Sequence, residues 1–322
     1  MANYFPYEQR KLEIITKNDS QTNPKYGCEP EKRTTEELLK FGIVNIDKPS
    51  GPTSHQIAAY VKDIMKLSKA GHSGTLDPKV TGCLPVAINR ATKATQLLLK
   101  AGKEYVGVMH IHKEVDEDKL RDAVNKFKGR IEQLPPVRSS VKRQKRQRSI
   151  YYFELLEIKE QDVLFRVGCQ AGTYIRKLVH DLGESLGIGA HMSELRRTRV
   201  GPFNESSLCT LQDLSDSFYY FENENNDKFI RHVMQPVEKA VEHMPKIWVL
   251  DSAVDSLCHG ASLSNPGIAK LENGIIKDDI VVVLTLKDEL VCYGKAVINT
   301  EDMLHEKGLA VITDKVFLEP GV

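Results

Sequence analysis

Cysteine is sparse and scattered: six residues, at positions 28, 83, 169, 209, 258 and 292, with no Cys-x-x-Cys pair and no tight Cys/His cluster. That dispersal excludes a disulfide framework and a zinc site and points to reduced thiols. Long apolar runs are missing as well. The run Ile280–Leu284 is far too short to cross a bilayer. The opening MANYFPYEQRKLEI lacks the apolar core of a secretory signal, so a soluble intracellular protein with no membrane association is expected. No internal repeat and no dinucleotide-binding glycine fingerprint occurs, and neither a metal nor an organic cofactor is called for. A large excess of charge of one sign is also lacking, the formal net charge being +1, which argues against a uniformly basic nucleic-acid binder.

The average conceals segregation. Residues 1–200 carry 35 Lys and Arg against 24 Asp and Glu, residues 201–245 carry 3 against 8, and residues 246–322 carry 7 against 12. A phosphate backbone would be drawn to the first part. With 322 residues, 41% of them hydrophobic, the chain has room for two domains and a sizeable core.

Residues 1–33 are polar and irregular, which alone reads as a flexible arm, and Thr34-Thr35-Glu36-Glu37 marks a helix start. Residues 41–46 read as a buried strand. Ile57, Val61, Ile64 and Met65 repeat at helical spacing over 54–67, with Thr53 and Ser54 as caps. Further on, 91–99 and 116–127 are helical in composition and 103–109 is a strand. Residues 150–158 and 163–167 should pair across 159–162. A helix runs to about Leu186, and 204–245 is acidic and helical, with a segment of low order at 222–227. From Pro245 the texture changes to short β segments, drawn at 247–250, 280–286, 291–297 and 309–313.

The constellation with most chemistry is GHSGTLDPKVTG, residues 71–82. Gly71 and Gly74 permit backbone geometry that bulkier residues resist. Pro78 fixes its own φ and drives Asp77 out of the helical region, so Asp77 should stand at a rigid bend. Alone, Asp-Pro also simply marks a turn. Residues 135–149, PPVRSSVKRQKRQRS, carry Arg138, Lys142, Arg143, Lys145, Arg146 and Arg148 and no acid. Such a run is ordinarily solvated surface. Lying between regular segments, this one reads as an exposed, mobile hairpin loop, whose phosphate contacts would position a nucleic acid rather than read its sequence.

GHSGTLDPKVTG resembles the active-site motif of the TruB/dyskerin family of RNA pseudouridine synthases. Its spelling, with Ser73 and Thr75, is closer to the dyskerin branch, the catalytic subunits of box H/ACA ribonucleoproteins. NIDKPSGPTSH, 45–55, is similar to the first family motif, whose lysine-proline turn (Lys48) supports the catalytic loop. KEYVG resembles the segment whose tyrosine (Tyr105) stacks on the target base, a flat apolar face suited to a flipped uracil. The basic run resembles the thumb loop that closes over substrate RNA. GTYIRKL, 172–178, resembles the third motif, whose arginine (Arg176) pairs with the catalytic aspartate. Residues 191–200 resemble the segment that sets an apolar residue, Leu195, near the base. WVLDSAVDSLCHGASLSNPGI, 248–268, looks like the start of a PUA domain. Its glycine-bearing turns at His259-Gly260-Ala261 and Pro266-Gly267 would let backbone approach RNA closely. One departure is Lys277-Asp278-Asp279, where the family usually has glycine before aspartate.

The resemblance, which runs from about residue 35 to the end, implies an α+β fold. A mixed, largely antiparallel-sheet catalytic domain would occupy 34–245 and a small β-rich PUA domain 246–322, with an extension at 1–33 packing on the latter. It implies a cofactor-free isomerase acting on uridines of rRNA, with tRNA as a second substrate class. Asp77 would act at the sugar, as nucleophile at C1′ or base at C2′, and Arg176 would keep it charged. Tyr105 would stack on the base and His72 would wedge it from its helix. Tyr174, Leu195, Lys48, Arg138, Lys142, Arg143, Lys145, Arg146, Arg148, His259 and Gly260 are the further candidates for contact with base or RNA. The implied partners are a box H/ACA guide RNA, the substrate RNA, Nop-family and Gar-family small proteins and a kink-turn-binding protein. The lack of a lysine-rich C-terminal tail suits an archaeal-type, cytoplasmic protein. Two other readings stand beside this one: a stand-alone enzyme for a tRNA T-loop uridine, and a non-catalytic RNA scaffold. The scaffold would have no chemical need for Asp77, Tyr105 and Arg176 together.

Overall fold

The computed structural model describes residues 4–135, 144–305 and 307–320. After strand β1 (Ile14–Thr16), the chain alternates short helices and strands: α1 (Thr35–Phe41), β2 (Gly42–Lys48), α2 (Ser54–Ile64), β3 (Ala70–His72), β4 (Thr81–Ile88), α3 (Thr95–Lys100), β5 (Lys103–Ile111) and α4 (Glu117–Lys126). A run of long strands follows, β6 (Gly129–Gln133), β7 (Arg146–Lys159) and β8 (Asp162–Cys169), then α5 (Ile175–Ser185), β9 (Ala190–Val200) and β10 (Phe203–Asn204). Next come α6 (Leu211–Glu224), α7 (Lys228–Val233) and β11 (Met234–Pro236). The rest is β12 (Lys246–Val249), α8 (Asp251–Cys258), β13 (Leu263–Ser264), β14 (Ile268–Glu272), β15 (Ile280–Leu284), β16 (Leu290–Ala296), α9 (Thr300–His305) and β17 (Leu309–Val316).

Among the described residues the strands form two sheets. One has the order β11-β2-β4-β9-β5-β8-β7-β6, with β3 on β4 and β10 on β9; the other runs β1-β14-β12-β15-β16-β17-β13. Neighbours are antiparallel except β4 with β9 and β12 with β15, so the α+β, largely antiparallel expectation holds. The apolar spacing explains the layers. Ile57 and Val61 of α2, with Leu214 and Ile230, bury against Val44, Ile46, Leu84 and Val86 of the first sheet. Leu120 and Val124 of α4, with Leu178 and Leu182 of α5, cover Met109, Phe153, Phe165 and Val167. A third cluster joins the sheets: Ile43, Ala87, Leu98 and Phe203 pack with Trp248, Val282, Tyr293 and Phe317.

The N-terminal segment crosses both parts. Phe5 is fully buried under the Arg199 guanidinium, 4.4 Å from the ring, and β1 extends the second sheet through Ile15 opposite Leu271. Arg33 is its firmest anchor. Only 5% exposed, it forks onto Glu238 at 2.7 and 2.9 Å and lies 3.9 Å from Glu289 of the second sheet's side. Glu238 also accepts the Leu290 N–H at 2.8 Å. Arg33→Ala would leave two carboxylates desolvated without their cation. Such a loss costs about 3–5 kcal/mol, and chemical denaturation of the full chain should show it; a loss below about 1 kcal/mol would contradict the anchor.

His243 gives the fold a pH dependence. Burial, then Lys103 and Arg10, push its pKa down to about 4, against about 6.5 for the unfolded chain. Between those values the unfolded state takes up a proton that the native state refuses, so stability is full above about pH 6.5 and falls as the pH drops toward 4. The expected loss is on the order of 3 kcal/mol over that window. Urea midpoints measured from pH 7 to 4.5 should fall more steeply for the wild type than for His243→Gln.

Two expectations need correction, and two further features were not read from the sequence. Residues 91–99 are not one helix: a 3-10 segment, Asn89–Ala94, precedes α3. The 222–227 stretch is the end of α6, turned by Asn225 at φ +52 and tied by Lys66 to Glu222 and by Thr35 to Asp227. Strands β1 and β14 were not foreseen, because each is short and their pairing joins residues far apart in the chain. Finally, Asp278 takes φ +76 itself, so the turn survives the missing glycine, aspartate being among the residues that tolerate this region.

Candidate active site

The loop carrying Asp77 runs between β3 and β4 and is pinned from two sides. Thr53 caps α2 in a capping box with Gln56, which frees the neighbouring Ser54. The Ser54 hydroxyl, fully buried, accepts the Leu76 N–H at 2.8 Å and donates to the Leu76 carbonyl at 3.3 Å. On the other side Lys48, also fully buried, donates from Nζ to the carbonyls of Pro49, Pro78 and Val80, each at 2.9 Å. Burial, then Arg197, lowers its pKa, while Asp77 opposes the shift. Lys48 thus ties down the Asp77 turn, and its grouping with RNA-contacting side chains is corrected: all three ammonium donors are spent on backbone carbonyls.

The glycines of the loop are not equivalent. Gly71 has ordinary space around its Cβ position, so the permissive geometry expected there is not used. Gly74 needs φ +134, and Gly82 needs φ +99 with the Arg197 carbonyl 2.2 Å from where a Cβ would lie. That approach is the parallel pairing of β4 with β9, Gly82 opposite Arg197.

Asp77 points out of this turn and meets Arg176, from the first turn of α5, at 2.5 Å. The side chains are 50% and 59% exposed, so the pair stands open to a ligand. Tyr105 on β5 lies opposite Arg197 of β9 and is half-buried against the same apolar cluster on which Leu195 packs. Burial raises its pKa against the pull of Arg197, and the Asp77 carboxylate adds to the rise. Its hydroxyl is therefore neutral around pH 7. The His72 ring meets His55 edge-on at 4.6 Å and its Nδ1 accepts the Gly74 N–H at 3.3 Å. Burial, then His55 and Arg197, push it down to about 4, leaving an uncharged, flat ring beside the loop.

Arg197 is the residue that sequence reasoning missed. It is 1% exposed and, through Nε and Nη2, donates to the carbonyls of Cys83 and Gly74 at 2.8 and 3.2 Å. Beside it Lys103, also buried, donates to Leu98, Leu99 and Ala101, and burial with Arg197 pushes its pKa down to about 7. Arg197, a buried cation bound to the Gly74 carbonyl of the Asp77 loop, favours an anion above it. Nothing in LRRTR says which arginine turns inward; Arg196 instead forks onto Asp47 at 2.9 and 3.0 Å.

Of the basic hairpin, Lys145 pairs with Glu132 at 2.8 Å across its base, and Arg146 and Arg148 lie partly buried on β7. Arg138, Lys142 and Arg143, with the mobility expected of the loop, lie outside the described residues. Tyr174 is half-buried at the N-cap of α5. In the second sheet's module His259 ends α8 and binds the Asp255 carbonyl, and Gly260 turns at φ +88 with open space around it. Gly267 has a different reason to be glycine: a Cβ would meet Ala253 and Leu263 at 3.1 and 3.2 Å. No group of His, Cys, Asp and Glu suited to a metal ion occurs among the described residues, and no described helix is long and apolar enough to cross a membrane.

Residues 62–175 match the TruB family pseudouridylate synthase N-terminal domain, 176–242 the tRNA pseudouridylate synthase B C-terminal domain, 3–58 the DKCLD domain and 245–317 the PUA domain. A protein of Methanopyrus kandleri named "Probable tRNA pseudouridine synthase B" is 54% identical over 318 residues, 98% of this chain and 94% of that protein. One of the same name from Pyrococcus abyssi is 55% identical over 96% of this chain and 93% of its own length. A chain from a crystal structure of a Cbf5-Nop10-Gar1 complex superposes with a TM-score of 0.96 at 52% identity, covering 99% of each chain. Another, from an H/ACA RNP bound to a substrate RNA containing 2′-deoxyuridine, gives 0.93 at 51% identity over 99% and 98%. Fold and matches together define an isomerase of the RNA pseudouridine synthase class. Within that class the chain belongs to the TruB/dyskerin family.

Proposed function

We propose that this enzyme isomerises uridines of rRNA as the catalytic subunit of a box H/ACA ribonucleoprotein, with a guide RNA choosing the target. The observation that carries the chemistry is the Asp77–Arg176 pair, two groups 99 residues apart brought to 2.5 Å at an open surface. Pseudouridylation breaks the N1–C1′ bond, turns the freed base and rejoins it through C5, with no net redox change. A carboxylate can open that sequence as nucleophile at C1′ or by taking the C2′ proton. In the proposed division, residues 34–245 do this work and 246–322 hold RNA, with residues 1–33 strapping them together. Tyr105 stacks on the base, Leu195 lines its pocket, and His72 and Tyr174 flank it. Arg146 and Arg148, with the rest of the basic hairpin, hold phosphates, while His259 and Gly260 meet RNA at the second module.

The near-full-length likeness to chains of Cbf5-Nop10-Gar1 and H/ACA assemblies supports Nop-family and Gar-family partners; an archaeal-type cytoplasmic setting and a kink-turn-binding protein complete the proposal. The names of the curated relatives favour a second reading, action on tRNA without a guide. Incubating the purified chain with its partners, with tRNA and with a guide-paired target separates the two. Conversion only with the guide supports the first reading; equal conversion of a tRNA T-loop uridine by the chain alone overturns it.

A further inference from the structure

Arg176 meets Asp77 only if the start of α5 is held in place, and that start is set by a side chain from another strand. Gln133, the last residue of β6, is 2% exposed. Its Oε1 accepts the Tyr174 N–H at 3.0 Å and its Nε2 donates to the Tyr174 carbonyl at 3.2 Å. The carboxamide therefore pairs with Tyr174 as a neighbouring strand's backbone would. The same carbonyl accepts the first helical bond, from Leu178 N–H at 2.9 Å, and Arg176 follows two residues on. α2, α4 and α6 carry a capping bond from their own N-cap side chain, whereas the Tyr174 side chain makes none.

The other leg of the hairpin grips the same turn. Gln170 and Ser149 of β7 exchange bonds of 2.8 and 3.1 Å, and the Arg148 guanidinium lies 3.2 Å from the Cβ position of Gly172. Gln133 pairs with Arg146 at the mouth of the basic hairpin, so the stem of that hairpin and the start of α5 form one unit.

We infer that Gln133 is a positioning residue for the reaction, fixing the start of α5 so that Arg176 reaches Asp77. It makes the Arg176–Asp77 contact depend on the stem of the hairpin. The inference rests on the proposed role of Arg176.

Gln133→Met keeps the length of the side chain and removes both bonds. Misplacing a catalytic partner by about an ångström costs roughly 100-fold, so kcat under single-turnover conditions should fall about 10- to 100-fold. KM and RNA affinity should change little, while the thermal midpoint should fall modestly because two buried hydrogen bonds are lost. The distinguishing readout is the same substitution placed in Arg176→Lys, where the partner is already compromised: the further cost there should shrink to within about threefold. An equal cost in both backgrounds, or near-normal kcat for the single variant, overturns the inference. Full turnover by Arg176→Lys alone would instead remove the role of Arg176 on which it rests. Should Gln133→Met lose its fold, Gln133→Glu, which keeps the acceptor and lacks the donor, serves in the same cycle with the same expected non-additivity.

Discussion

Asp77→Asn should abolish turnover while leaving RNA binding within about twofold of wild type. Asparagine keeps the shape of the side chain and its place in the turn, since the pins on the loop, Ser54 and Lys48, hold backbone atoms rather than the carboxylate. What it removes is the anion. An amide is neither a base for the C2′ proton nor a nucleophile for C1′, so the rate should fall by about 10⁴-fold or more. Filter binding or fluorescence anisotropy with labelled RNA, set beside single-turnover conversion, separates the effects. A variant that still converts uridine at a tenth of the wild-type rate would remove Asp77 from the reaction.

The second large effect belongs to Arg176. In the free protein the side chains of the pair are 59% and 50% exposed, and pairs of that kind are worth about 0.2–1 kcal/mol. Arg176→Ala and Arg176→Lys should therefore leave the unfolding midpoint nearly unchanged. Catalysis is different. On the proposed reading a uridine seated over Asp77 would exclude water, and the attraction between guanidinium and carboxylate would strengthen as the local dielectric falls. Arg176→Ala should lose about 10²- to 10³-fold in kcat. Arg176→Lys should recover only part of this, because an ammonium does not reproduce the planar fork. Near-normal kcat in either variant, or a large loss of stability in both, would contradict this division between stability and rate.

Much of the site was legible because its signals are local. Pro78 after Asp77 specified a rigid bend, the strand-like run 103–109 placed Tyr105 on a strand, and Thr53 and Ser54 marked the start of α2. What stayed hidden depends on contacts between distant segments. Lys48 could be a solvated loop lysine or a buried strut until three carbonyls were seen to converge on it. Gly71, Gly74 and Gly82 look alike in sequence, and only the close passage of β9 shows that Gly82 is the one without room for a methyl group. Arg197 was concealed by its neighbours: three arginines within four residues offer no local clue to which one is buried opposite Tyr105. The same limit applies to Arg33, whose carboxylate partners lie more than 200 residues away.

On the proposed reading a uridine is rejoined through C5 at the Asp77 site. Tritium at C5 of the target uridine tests it, because rejoining there displaces that hydrogen into water. Wild-type enzyme assembled with its partners, guide and substrate RNA should release close to one tritium per target. Asp77→Asn, bound to the same RNA, should release none above background. Release by Asp77→Asn at the wild-type rate would place the chemistry elsewhere in the molecule.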